Sequence, residues 1–125
     1  MKKAIQIPGA PAPIGPYSQA IVSGNTVYVS GQIPLNPFTG ELEVDSIEAA
    51  THRILKNIES LLKEADMTLE NIVKCSIFMT DLGQFSEMNG VYSSYFSSVP
   101  PARETVQVSK LPMNVPIEIS CIAIK

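Results

Sequence analysis

Ile117-Glu118-Ile119-Ser120-Cys121-Ile122-Ala123-Ile124 is the stretch on which the fold turns. It is rich in β-branched residues and reads as a strand. Alternation puts Ile117, Ile119, Cys121 and Ala123 on one face, and Glu118, Ser120, Ile122 and Ile124 on the other. Both faces carry apolar side chains, so both need cover. Glu118 interrupts the second face, where burying a carboxylate is costly unless it is paired or used.

Moving outward, a second strand lies within Pro100-Pro101-Ala102-Arg103-Glu104-Thr105-Val106-Gln107-Val108. It carries Arg103, one of only two arginines in the chain. A loop with Pro112 and Pro116 links the two strands. Paired as a hairpin around Lys110-Leu111, they would set Arg103 opposite Glu118, with both side chains on one face. A planar guanidinium beside a carboxylate suggests a site that grips a small acid and handles a proton. A salt bridge at a subunit interface is the plainer alternative.

Further back, Ser46 to Ala65 has a helical period, with Ile47, Ala50, Ile54, Ile58, Leu61 and Ala65 on one stripe. Asp45 is placed to cap its first turn and Glu48 to complete a capping box. Asn71 to Met79 is β-branched and apolar, as in a central strand. A second helix is expected from about Asp81, with Leu82, Phe85, Met88, Tyr92, Tyr95 and Phe96 on its stripe and Asn89 among them. Ala20–Ser23 and Thr26–Ser30 flank Gly24-Asn25, a strong hairpin signal. Ile5-Gln6-Ile7 reads as a short edge strand. Pro8–Pro16 is an extended loop, because prolines remove backbone donors.

The order is thus β-β-β-α-β-α-β-β in an α+β fold. Two helices cover only one face of such a sheet. The other face is expected to pack against further copies of the chain, which predicts a homo-oligomer.

Composition bounds the rest. At 125 residues the chain is expected to be one domain, residues 1–125. The net charge is −3, with Lys2-Lys3 the one basic pair, which argues against a nucleic-acid partner. No apolar run reaches membrane-spanning length, and Met1–Ile5 lacks a signal-peptide core. Cys75 and Cys121 fall inside strand-like runs, as expected of buried thiols in a reducing cytoplasm. The one histidine, His52, sits off the first helix's stripe, and with no Cys/His cluster no metal site is expected. Thr51 and Arg53 read as helix surface. Tyr17 and Ser30 border loops that reach a cleft or simply pack, and Asn89 either lines a site or satisfies backbone.

Several separated segments resemble one family. They are Ala12-Pro13-Ile14-Gly15-Pro16-Tyr17-Ser18-Gln19-Ala20, Val29-Ser30-Gly31-Gln32-Ile33-Pro34, Met88-Asn89-Gly90-Val91-Tyr92-Ser93-Ser94-Tyr95-Phe96, Pro101-Ala102-Arg103 and Val115-Pro116-Ile117-Glu118-Ile119. Over nearly its whole length the chain resembles the Rid (reactive intermediate deaminase) family, RidA/YjgF type. The resemblance implies a chorismate-mutase-like α+β fold with a mixed sheet, assembled as a homotrimer around a central barrel with clefts between subunits. It implies hydrolysis of 2-enamine and 2-imino acids, such as 2-aminoacrylate and 2-iminobutyrate, to 2-keto acids and ammonia, with no cofactor or metal. Carried over by position, Arg103 binds the substrate carboxylate and Glu118 orients or activates water. Tyr17, Ser30, Gly31 and Asn89 line the cleft, and Thr105 offers a backbone N–H. Glu104 and Thr105 depart from a pattern in which many members carry a small residue and then cysteine. A non-catalytic trimer binding small carboxylates in the same clefts is the alternative. A ribonuclease role is disfavoured by the acidic balance.

Overall fold

The computed structural model describes residues 1–125. Six strands form one sheet, and the helices lie in the order expected from periodicity: β1 (Lys2–Ile5), β2 (Ala20–Ser23), β3 (Thr26–Gln32), α1 (Ile47–Lys63), β4 (Ile72–Met79), α2 (Phe85–Ser94), β5 (Ala102–Gln107) and β6 (Ile117–Ile124). The sheet order is β1-β2-β3-β6-β4-β5. The β2–β3 hairpin turns on Gly24, whose φ of 60° is the left-handed conformation such a tight turn needs.

The expected β5–β6 hairpin does not form. β6 pairs antiparallel with β3 on one side and β4 on the other, and β5 runs parallel to β4 at the sheet edge. Composition explains the choice. β6 is almost wholly apolar and takes a central place, whereas the charged Ala102–Gln107 segment suits an edge. Strand β4, helix α2 and β5 form a crossover unit, which makes β4 and β5 parallel neighbours.

Alternation in β6 is as expected: Ile117, Ile119, Cys121 and Ala123 are buried, and Glu118, Ser120 and Ile122 are half-exposed. The buried side chains join Val27, Val29, Cys75, Ile77 and Met79 beneath α1, so the core lies on the helix-covered face. The opposite face keeps Tyr28, Val106 and Ile124 exposed.

Local details shift by small amounts. Ser46, not Asp45, caps α1, its hydroxyl accepting from the Ala49 amide at 3.0 Å. Thr51 is fully buried, its hydroxyl donating to the Ile47 carbonyl within the helix, because α1 is covered on a wider arc than one stripe. Asp81 caps a short 3-10 turn (Leu82–Gln84), and α2 proper starts at Phe85. The edge strand β1 lies at Lys2–Ile5, because Ile7 turns into the core.

Candidate active site

Arg103 stands on β5 directly opposite Cys75 of β4, on the face covered by α2. Its Nη1 donates to Asn89 Oδ1 at 2.8 Å. Its guanidinium lies 4.8 Å from the Tyr92 ring centre and 5.5 Å from that of Phe85. Phe85, Asn89 and Tyr92 recur at four and three along α2, so one helix face builds the whole cradle. Burial, with the neighbouring Cys75 thiol, pushes the Tyr92 phenol well up, so the ring stays neutral. No carboxylate pairs with Arg103. Its charge is held in place and left free for an anion, in front of a hollow of about 390 Å³ walled by Asn89, Tyr92, Phe96, Ser98 and Pro101.

Glu104 does not compete for that guanidinium. It points to the opposite face, where Lys74 Nζ lies 3.0 Å from its carboxylate and the Ser76 hydroxyl donates to it. Those two donors hold its carboxyl below the usual carboxylate range. Thr105 returns to Arg103's face, with its hydroxyl buried and without a hydrogen-bond partner.

The second group gathers on the other face. Glu118 lies in the row of Phe78 and Val106, so it shares no face with Arg103, contrary to the hairpin expectation. Strand spacings put the two Cα atoms roughly 14 Å apart, with β4 between them. The Glu118 carboxylate is half-buried and makes neither hydrogen bond nor ion pair with any side chain. Desolvation pushes its pKa above the ordinary value. It lies against Gly31, in an irregularity between Val29 and Gln32 of β3.

That approach requires glycine. A Cβ at Gly31 would lie 2.6 Å from Glu118 Cδ. Gly31→Ala is therefore expected to push the carboxylate aside without disturbing the core. Misplacing the carboxylate by about 1 Å is expected to lower turnover by about a hundredfold, and steady-state kinetics beside a thermal melt checks it. The Ser30 hydroxyl donates to the Ser18 carbonyl at 2.6 Å, and its amide to Gln19 at 2.9 Å. These bonds hold the proline-rich loop against β3. Tyr17, on that loop, is largely exposed and borders a smaller hollow of about 120 Å³ together with Gly31, Gln19 and Gln32.

Within one chain the expected site residues thus fall into two groups: Arg103, Asn89 and Thr105 on the helix-covered side, and Tyr17, Ser30, Gly31 and Glu118 near β3. Asn89, open between two roles from sequence, is Arg103's partner. Tyr92 and Phe85 were not foreseen as site residues, although their four-and-three spacing around Asn89 was the available signal. No group of three His, Cys, Asp or Glu side chains is placed to hold a metal ion. No helix is long and apolar enough to cross a membrane.

Comparison with known proteins agrees with this fold. The family model described as Endoribonuclease L-PSP matches residues 8–125. A RutC family protein of Pyrococcus abyssi is 48% identical over 124 residues, covering 99% of this chain and 98% of the relative. Reactive Intermediate Deaminase A, chloroplastic, of Arabidopsis thaliana is 43% identical over 122 residues, covering 98% of this chain and 65% of that protein. The crystal structure of a Rid-family protein of unknown function from Yersinia pestis superposes with a TM-score of 0.95 at 45% identity, each chain covered in full. With the family model spanning β2 to β6, both helices and both groups of site residues, this chain belongs to the Rid/YjgF family.

Proposed function

We propose that the chain is a 2-imino-acid deaminase whose site is completed between subunits of a homotrimer. The observation that carries this is the separation of the two groups. Arg103 is clamped, cationic and free of any carboxylate, while Glu118 is an unpaired, desolvated carboxylate on the opposite face of the sheet. A substrate of three or four carbons cannot span them within one chain. An edge strand carrying Arg103, set against a neighbour's β3–β6 surface, brings them together. The exposed Tyr28, Val106 and Ile124 on the uncovered face support such packing.

Arg103 then binds the substrate carboxylate through two hydrogen bonds, and the Thr105 amide adds a third contact. The protonated imine carbon is electrophilic and needs no covalent nucleophile. Glu118 orients a water on it and takes its proton. In the tetrahedral 2-amino-2-hydroxy acid, Glu118 returns that proton to nitrogen and takes up the hydroxyl proton as the C–N bond breaks, releasing ammonia and leaving the 2-keto acid. An enamine such as 2-aminoacrylate enters the same path once its terminal carbon is protonated.

The printed name of the Arabidopsis relative supports the deaminase reading. The nuclease description of the family model finds no support in a chain of net charge −3 with Lys2-Lys3 as its one basic pair. The test couples a serine/threonine dehydratase to this protein and follows imine loss. Acceleration by the wild type supports the enzyme. Binding of 2-ketobutyrate in calorimetry without acceleration points instead to a carboxylate-binding trimer.

A further inference from the structure

Four of the eight residues around the Arg103 hollow, Phe96, Ser98, Pro100 and Pro101, come from one short connection between α2 and β5. Its two ends are firmly held. At the start, the Tyr95 hydroxyl meets His52 Nδ1 of α1 at 2.8 Å, and the Phe96 ring packs on Tyr92 with centroids 4.7 Å apart. At the other end, Ala102 enters the parallel ladder with β4.

The middle is different. Residues 97–101 make no backbone–backbone hydrogen bond, Pro100 and Pro101 have no N–H to give, and Val99 is 87% exposed. A single hydrogen bond ties this span to the rest of the molecule: the Ser98 hydroxyl donates to Glu70 Oε2 at 2.7 Å. Glu70 itself is well anchored. It sits in the 3-10 turn Leu69–Asn71, closed by reciprocal Thr68 and Asn71 capping bonds, and Asn71 Nδ2 donates to the Ile124 carbonyl at 3.2 Å. One side of the hollow is therefore a strap clamped at both ends and pinned once in between.

We infer that Glu70 is a positioning residue, whose bond to Ser98 sets how tightly the strap closes over an acid held by Arg103. The inference rests on reading the hollow as the carboxylate site. Glu70 touches neither the hollow nor the acid and acts only through Ser98. With the tether intact, the wall formed by Ser98 and Pro100 stays against the bound ligand. With it cut, only the two clamped ends hold residues 97–101, and the ligand leaves faster while the chemistry is unchanged.

The test uses the full-length protein with Glu70→Ala, Ser98→Ala, the double variant and Glu70→Gln. Glu70→Ala is expected to raise KM, and the dissociation constant for 2-ketobutyrate, by about three- to tenfold with kcat held. The double variant is expected to match the single ones, because both cut the same bond. Glu70→Gln keeps an acceptor oxygen and is expected to restore KM to within about twofold. In hydrogen exchange, 2-ketobutyrate is expected to slow the amides of residues 97–99 in the wild type and to lose that effect in Glu70→Ala. An unchanged KM and dissociation constant in Glu70→Ala overturns the inference, as do effects of the two single variants that simply add. A wild type that is active and depends on Arg103 but ignores Glu70 sinks the strap alone. A wild type that neither turns over imine nor binds 2-ketobutyrate sinks both readings.

Discussion

Arg103→Ala is expected to lower kcat/KM for 2-imino acids by roughly two to four decades while leaving the protein folded. Each charge-assisted hydrogen bond to a carboxylate contributes about 1.5–3 kcal/mol, and the fork supplies two of them. At about 1.4 kcal/mol per decade, their loss gives that range. The structure adds a reason to expect the upper part of it. Arg103 has no competing carboxylate, because Glu104 is turned away to Lys74 and Ser76, and its approach angle is fixed by Asn89 and Tyr92. Arg103→Lys keeps the charge but loses the fork, and is expected to recover only part of the loss. Folding should survive, since Arg103 lies on an edge strand outside the buried cluster. Steady-state kinetics alongside circular dichroism separates the two effects.

Glu118→Gln is expected to cost about two to four decades in turnover, the usual range for a positioned general base. The pH profile gives the sharper signature. Desolvation raises the Glu118 pKa, so the acid limb of kcat/KM should lie at higher pH than an ordinary carboxylate would give, and should vanish in the variant. The stability sign runs the other way from a salt-bridged acid. A raised folded-state pKa means the native state binds the proton more tightly, so stability falls as pH rises from the unfolded-state value through the folded one. Glutamine removes that penalty, and its melting temperature at neutral pH should not drop. Lost activity with an undiminished melting temperature would therefore point to chemistry rather than unfolding.

Much of the fold was legible because its signals are local. A period of two marks β6, a period of three to four marks α1, a β-branched apolar run marks β4, and Gly24-Asn25 fixes the first hairpin. Alternation in β6 also gave the correct face for Glu118. Strand order was not local. Neighbours in sequence favour a hairpin, yet β5 is polar enough to sit at the edge and follows a helix that returns it parallel to β4. The strand–helix–strand pattern around α2 was the signal that should have decided it. The site was legible as a set of residues and not as a geometry. Glu118 stands out as a carboxylate in an apolar strand and Arg103 as a guanidinium at the mouth of a polar one, and that reasoning says nothing about which face an edge strand presents. Tyr92 was hidden because an aromatic on a helix stripe is ordinary core, and only its stacking under Arg103 marks it as part of the cradle.

In the proposed site, Arg103 of one subunit works with Glu118 of another. Mixed assemblies of Arg103→Ala and Glu118→Gln chains, formed by co-expression, test it most directly. If each cleft takes its arginine from one chain and its glutamate from a neighbour, random mixing leaves about a quarter of the clefts with both groups intact. Two inactive parents should then give a mixture with about a quarter of wild-type activity per site. A mixture as inactive as its parents, in assemblies shown by mass spectrometry to contain both chains, would contradict the account.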